Sequence, residues 1–131
     1  MQDALLKSTL TLPNGAATTT SSGIDMQGGQ QLAGVELRFD APAVPIANLG
    51  NTEAITYTLE GSSASNFATV GRTVSLGVQT GATANAVAAA IANGRYRLAS
   101  NDLRYWRLKS VKTGAGTNAS TLSATLIVES V

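Results

Sequence analysis

Hydrophobic and polar residues alternate along several short stretches of the chain. In residues 35–39 the apolar Val35, Leu37 and Phe39 alternate with charged residues. Because successive side chains of a β-strand point to opposite faces, this pattern predicts a strand that is buried on one side. The same alternation predicts strands at residues 55–60, 73–78, 105–109 and 122–129, and shorter ones at residues 8–12 and 24–26.

Residues 83–94 depart from this pattern because they are rich in alanine. Alanine is the strongest helix former, Thr83 can act as an N-cap, and Gly94 can end a helix. The sequence therefore predicts one short helix or ordered loop near residues 83–94, inserted between two strands.

Turns marked by Gly and Pro separate seven or eight predicted strands, and no linker of different composition interrupts them. This organisation predicts a single all-β domain over residues 1–131, with the architecture of an antiparallel jelly roll or β-sandwich. Residues 1–7 precede the first clear strand pattern, and we expect them to form a flexible N-terminal arm that orders on binding.

The amino-acid composition limits the kinds of molecule that the protein can be expected to bind. Charged residues make up 13% of the chain, about half of the usual share, so Ser, Thr, Asn and Gly must cover most of the surface. Such a surface gives little charge repulsion and suits a protein that works in an assembly. A net charge of +1 argues against a dedicated nucleic-acid binder. The chain has no apolar run of about 18 residues and no secretory pattern at its start, so we expect no membrane partner and synthesis in the cytoplasm.

The chemistry of the side chains argues against an enzyme. The chain contains no His and no Cys, which removes the commonest general base, the commonest thiol nucleophile and the usual ligands of zinc. The eight acidic residues are scattered singly, which leaves only a pair of carboxylates brought together by the fold, as in glycosidases. We therefore expect no catalytic residues, no metal site and no cofactor.

Six of the nine basic residues fall within residues 95–112. They are Arg95, Arg97, Arg104, Arg107, Lys109 and Lys112. One interpretation is a basic face that binds an acidic partner surface. The other is an edge strand that carries outward Lys and Arg against aggregation. Trp106 lies among aliphatic neighbours, which favours a core anchor over an exposed platform for carbohydrate.

Four stretches of the sequence together resemble a known family. They are residues 24–26 (IDM), 35–39 (VELRF), 57–67 (YTLEGSSASNF) and 103–108 (LRYWRL). In this order they resemble the jelly-roll capsid cement, or decoration, proteins of tailed bacteriophages. The resemblance implies a virion protein on the capsid exterior that ties major capsid protein subunits together. It also implies self-association, as a homodimer rather than a homotrimer.

Two other functions remain open at this stage. One is a β-sandwich module that binds carbohydrate or a receptor, which would need exposed aromatic residues or a calcium site. The other is a tail-associated structural protein of a phage, which would be expected to form rings. A pilus subunit is a further alternative, but it should carry an export signal.

Overall fold

The protein is built from strands. The computed structural model describes residues 2–26, 35–81, 87–98 and 103–130, and within these ranges it contains no helix. The strands are β1 (Gln2–Thr11), β2 (Thr18–Thr20), β3 (Ile24–Asp25), β4 (Val35–Ala41), β5 (Val44–Pro45), β6 (Ala54–Ser62), β7 (Arg72–Thr80), β8 (Val87–Ala88), β9 (Ile91–Arg97), β10 (Tyr105–Thr113) and β11 (Ser123–Ser130). In the described part of the chain there is accordingly no helical segment that could cross a membrane.

The strands form two main antiparallel sheets. The first sheet has the order β1-β11-β4-β9, and the second has the order β2-β10-β6-β7, with β3 also paired to β10. A small ribbon pairs β5 with β8. Apart from the β2–β3 and β6–β7 connections, successive strands of these two sheets lie in opposite sheets, which is the connectivity of a jelly roll. The predicted all-β jelly-roll architecture is confirmed.

The core lies between the two sheets, and the alternation in the sequence fills it. Trp106, Tyr57 and Phe39 are fully buried, and the rings of Phe39 and Tyr57 are 5.0 Å apart. The indole Nε1 of Trp106 donates a hydrogen bond of 2.8 Å to the Leu103 carbonyl, so its polar atom is satisfied. The prediction of a core anchor at Trp106 is confirmed. Gly61 is required beside it, because a Cβ there would lie 2.8 Å from the indole ring.

The predicted helix is wrong for residues 87–94. Residues 83–86 lie outside the described residues, but Val87–Ala88 is strand β8, and Ile91 begins strand β9. Strand β9 pairs with β4, with Gly94 opposite Phe39 and Tyr96 opposite Leu37. Helix preferences are worth less than about 1 kcal/mol per residue, so the backbone pairing with β4 and packing against the core override them.

Strand β7 contains a bulge that simple alternation does not predict. Tyr57 of β6 pairs with Gly77, but the next residue, Thr58, pairs with Ser75. Leu76 is therefore an extra residue without a partner in the ladder. Gly77 has a φ of 141°, a backbone conformation that side chains disfavour. The bulge shifts the side-chain register of the end of β7 by one residue.

This shift corrects the prediction for the end of β7. Strict alternation over residues 73–78 would place Val78 in the core, but Val78 is 53% exposed and Gln79 is buried in its place. Three hydrogen bonds fix Gln79. Its amide nitrogen donates to the carbonyl oxygens of Pro42 at 2.7 Å and Ala89 at 3.0 Å, and its amide oxygen accepts from the Tyr57 hydroxyl at 2.6 Å. The outward position of Val78 is thus held by a buried polar network.

Two smaller expectations also differ from the structure. The backbone of residues 2–7 belongs to β1 and is not a free arm, although its pairing with β11 is irregular between Gln2 and Lys7. The interpretation of the basic segment as an edge strand is wrong for β10, which pairs with β6 on one side and with β2 and β3 on the other. The interpretation holds for Arg95 and Arg97 of the same segment, because they lie exposed on β9, an edge strand of the first sheet.

Candidate assembly surfaces

The outer face of the first sheet carries a network of ion pairs. Arg38 binds Asp40 at 3.0 Å and Glu129 at 2.5 Å. Arg95 binds Glu129 and Glu36, each at 2.7 Å. The hydrogen bond from Arg95 lowers the pKa of the Glu129 carboxyl, and Glu129 in turn raises the pKa of Arg95. We call this surface the first outer face; most of its charges are satisfied within the chain.

Two arginines beside the second sheet are also engaged internally. Arg104 forms two hydrogen bonds with Asp25, at 2.7 Å and 3.0 Å, which raise the pKa of its guanidinium. Arg107 binds Glu60 at 2.9 Å and lies over the ring of Phe67, 4.3 Å from its centre. These contacts fasten neighbouring strands and the β6–β7 turn to β10.

The β6–β7 turn is held in an uncommon backbone conformation. Phe67 has a φ of 53°, which is rare for an aromatic residue, and its ring is buried. A Cβ at Gly23 would lie 2.6 Å from this ring, so the ring needs a glycine there. The contacts with Gly23 and Arg107 compensate the cost of the conformation, which is about 1–3 kcal/mol for such a residue.

Lys112 and Glu53 form a buried ion pair at one end of the sandwich. The Lys112 side chain is 0% exposed and donates to Glu53 Oε2. It also donates to the carbonyl oxygens of Gly114 at 2.8 Å and Thr117 at 3.0 Å. All three ammonium protons are therefore used. The Thr117 hydroxyl oxygen lies 2.6 Å from Glu53 Oε2 and 2.9 Å from the Asn48 carbonyl oxygen.

This pair holds together the loops at that end, which we call the loop end (residues 12–17, 46–53 and 114–122). The hydrogen bond from Lys112 lowers the pKa of the Glu53 carboxyl below its ordinary 4.5, with a further contribution from Thr117. A Cβ at Gly114 would lie 2.5 Å from Glu53 Cγ, so the loop can close over the carboxylate only with glycine at that position. The backbone of Gly15 adds a hydrogen bond of 3.1 Å to the Thr117 carbonyl.

The structure separates the six basic residues of the predicted binding face. Arg95 and Arg97 lie on β9 of the first sheet, whereas Arg107 and Lys109 lie on β10 of the second sheet and Arg104 directly precedes it. They do not share one sheet face. Lys112 is buried, so its assignment to an exposed binding face is wrong. Whether the other five bind a partner stays a prediction.

The outer face of the second sheet has a different character. Its outward positions follow from the register, in rows across the sheet. Three of these rows are Thr20, Lys109, Thr58 and Ser75; Thr18, Val111, Thr56 and Val78; and Arg107, Glu60 and Thr73. We call this surface the second outer face. The charges in these rows form one cluster, in which Glu60 pairs with Arg107 at 2.9 Å and lies 3.8 Å from Lys109 Nζ. Sequence reasoning missed this face, although the Thr-x-Thr pairs in β2 and β6 are a visible signal.

Among the residues that the structure describes, no three His, Cys, Asp or Glu side chains are grouped to hold a metal ion. The aromatic side chains Trp106, Tyr57 and Phe39 are committed to the core.

Comparison with known proteins gives a fold but no family. No protein-family model matches the sequence, and no curated protein matches it. Among solved structures, the protein is similar to the D431N mutant VP2 protein of infectious bursal disease virus in derived T=1 particles. The TM-score is 0.54 at 12% sequence identity, over 95% of this chain and 29% of VP2.

Two further structures of infectious bursal disease virus give similar values. The Gt strain matches with a TM-score of 0.49 at 16% identity, over 98% of this chain and 30% of the viral chain. The Gx strain matches with a TM-score of 0.49 at 12% identity, over 93% and 29%. This chain thus spans less than a third of the viral chains that it matches. None of the three is a tailed-phage decoration protein, so that resemblance stays a prediction.

Proposed function

We propose that the protein is a structural component of a virus particle, and that it acts as a decoration protein on the exterior of a tailed-phage capsid. In this role it binds the major capsid protein and ties neighbouring subunits together, without catalysis. The observation that carries the proposal is the two-sheet jelly roll, which VP2 shares over 95% of this chain and which occurs there in T=1 particles.

The distribution of charge supports a role in a repeated assembly. Four arginines each bind an acidic side chain of the same chain: Arg38, Arg95, Arg104 and Arg107. Because these charges are already paired, they contribute little to the specific recognition of one small charged partner. A decoration protein needs many modest contacts whose effect adds up across a lattice. Two broad sheet faces provide the area for such contacts.

The test is co-sedimentation of the purified protein with empty shells from the source virus, with the copy number per shell measured alongside. We expect saturable binding at a fixed ratio to the major capsid protein. Absence of binding by a folded protein would contradict the decoration role. Electron microscopy of the concentrated protein alone would detect closed particles, which would make it a shell subunit.

Charge-reversal variants test the exposed members of the basic face. Arg97→Glu and Arg104→Glu are both at exposed positions, and we expect them to weaken attachment to shells. Lys7→Glu is a matched control on β1, outside the basic segment. Equal attachment of all three variants would show that Arg97 and Arg104 do not contribute to the contact with the shell.

A further inference from the structure

The sequence contains two Asn-Gly pairs, Asn14-Gly15 and Asn93-Gly94. Such a pair is prone to deamidation, because glycine has no Cβ to hinder its backbone nitrogen. That nitrogen attacks the side-chain carbonyl carbon of the asparagine, and ammonia leaves as a succinimide ring closes. Water then opens the ring at either carbonyl, which gives aspartate or isoaspartate.

Asn14 is an exposed residue of the loop end. Gly15 follows it with a φ of 68°, the left-handed backbone conformation that glycine adopts without strain. A Cβ at Gly15 would approach the Ala115 carbonyl oxygen only to 3.9 Å, so conformation and not crowding favours glycine there. The exposed amide and the glycine that deamidation requires are therefore adjacent at the surface.

The fold restrains the backbone nitrogen of Gly15. It donates a hydrogen bond of 3.1 Å to the Thr117 carbonyl. Attack on the Asn14 side chain requires this nitrogen to lose its proton and to turn toward the side chain, and both changes break that bond. Asn14 also forms a β-bridge with Asn118, which restrains the backbone rotation that ring closure needs. The closed loop end therefore opposes the reaction.

The buried ion pair is connected to Gly15 through Thr117. The Thr117 carbonyl oxygen that accepts from Gly15 also accepts from Lys112 Nζ at 3.0 Å. The Thr117 hydroxyl oxygen lies 2.6 Å from Glu53 Oε2. Both members of the pair thus hold Thr117 in place, and opening of the loop end releases the Gly15 nitrogen.

The second Asn-Gly pair lies elsewhere in the fold. Its backbone belongs to β9, where Gly94 is opposite Phe39 of β4, and Phe39 is in turn opposite Leu126 of β11. This pairing is part of the first sheet and does not involve Lys112. Conversion of Asn93 therefore reports opening of the first sheet, whereas global unfolding releases both asparagines.

We propose that Asn14 is a modification site, which deamidates when the loop end opens and which the Lys112–Glu53 pair protects through Thr117. The product carries a new carboxylate at the loop end. In isoaspartate the backbone also gains a carbon atom, so the bridge to Asn118 loses its register. The change is irreversible, because the ammonia is lost to solvent. This inference goes beyond the proposed function and does not depend on it.

The test is peptide mapping by mass spectrometry after incubation of the purified protein in mildly alkaline buffer, which favours loss of the backbone proton. The mass increase from amide to carboxyl reports conversion at each Asn-Gly pair. Asn14 in the folded wild type should convert at least about tenfold more slowly than in the protein denatured in guanidinium chloride, because only open molecules react. Equal rates would overturn the proposal.

Two variants distinguish opening of the loop end from unfolding of the whole domain. Lys112→Met loosens the loop end and should accelerate Asn14 at least about tenfold, and more than Asn93. Leu126→Ala leaves a cavity beside Phe39 in the first sheet, and it should accelerate Asn93 more than Asn14. Acceleration of both asparagines by the same factor in both variants would assign the reaction to global unfolding and overturn the proposal.

Thr117→Val covers the case in which Lys112→Met does not fold. It removes only the hydroxyl that lies near Glu53 and the Asn48 carbonyl, and circular dichroism should show the variant folded. We expect Asn14 to convert about threefold faster than in the wild type, because fewer bonds then hold the loop end closed. An Asn14 rate equal to that of the wild type would contradict protection through Thr117.

Discussion

The protein holds its charges in two ways. At the loop end, Lys112 and Glu53 are withdrawn from solvent and every donor of the ammonium group is used. On the first outer face, Arg95 is 44% exposed and shares its carboxylate partners with water. The first arrangement makes removal of one partner costly, whereas the second tolerates it, because water can replace a lost partner only at the surface.

The largest expected effect comes from breaking the buried pair. Lys112→Met leaves the Glu53 carboxylate buried without its cation, and we expect a loss of about 3–5 kcal/mol in the free energy of unfolding. Urea denaturation measures it. Lys109→Met is the matched control, because it removes the same group from the same strand on the exposed side, and it should cost about 1 kcal/mol or less. Equal losses would contradict the distinction between buried and exposed charges.

The double variant Glu53→Met with Lys112→Met sharpens this comparison. Replacing both members of a buried pair by apolar residues is often neutral, so we expect it to recover at least about half of the loss seen for Lys112→Met. A complete double-mutant cycle in urea provides the measurement. A double variant less stable than either single one would mean that the methionine side chains do not fit between the loops.

Acid should weaken the loop end. The pKa of Glu53 is lowered in the folded state, so its contribution is present above the ordinary value of 4.5 and is lost as the pH falls through the lower, folded pKa. Glu129 follows the same sign, with Arg95 as the cause. We expect the melting temperature to decrease when the pH is lowered below about 4.5. In Glu53→Gln the fall should be smaller, and an unchanged pH profile would contradict the assignment.

The smallest effect is expected on the first outer face. Arg95→Gln should lower the free energy of unfolding only slightly, because exposed ion pairs contribute little. The difference from the wild type should shrink in about 1 M salt, where the screening length is about 3 Å. A loss as large as that of Lys112→Met would show that the network acts as a buried one does.

Much of the fold follows from the sequence where strands obey strict alternation. In β4, β6, β10 and β11 the apolar positions that the pattern selects are buried or half-buried in the structure. The same parity runs from Trp106 through Leu108 and Ser110 to Lys112, which places this lysine on the inner side. The apolar pattern does not reveal this position, because after Leu108 the inner residues Ser110 and Lys112 are polar and the apolar Val111 lies on the outer side.

The remaining features depend on long-range contacts. The partner of Lys112 is Glu53, 59 residues away, and no local pattern joins them. Strand β9 forms because β4 offers it a ladder, against the helix preference of the alanine-rich residues 83–94. The bulge at Leu76 depends on the fit of Gln79 between Tyr57 and the backbone of Pro42, which only the folded sandwich creates.

The pairing of β1 with β11 has a consequence for folding. These strands come from opposite ends of the sequence, with Thr11 opposite Ser123, and β11 is also the neighbour of β4. The first sheet therefore cannot close until residues 123–130 have been synthesised. Such non-local pairing slows folding to the range of about milliseconds to seconds, because the entropy of closing a long loop must be overcome first. During that delay β1 and β4 have unsatisfied edges, and we expect yield in cells to be sensitive to temperature and to chaperone supply.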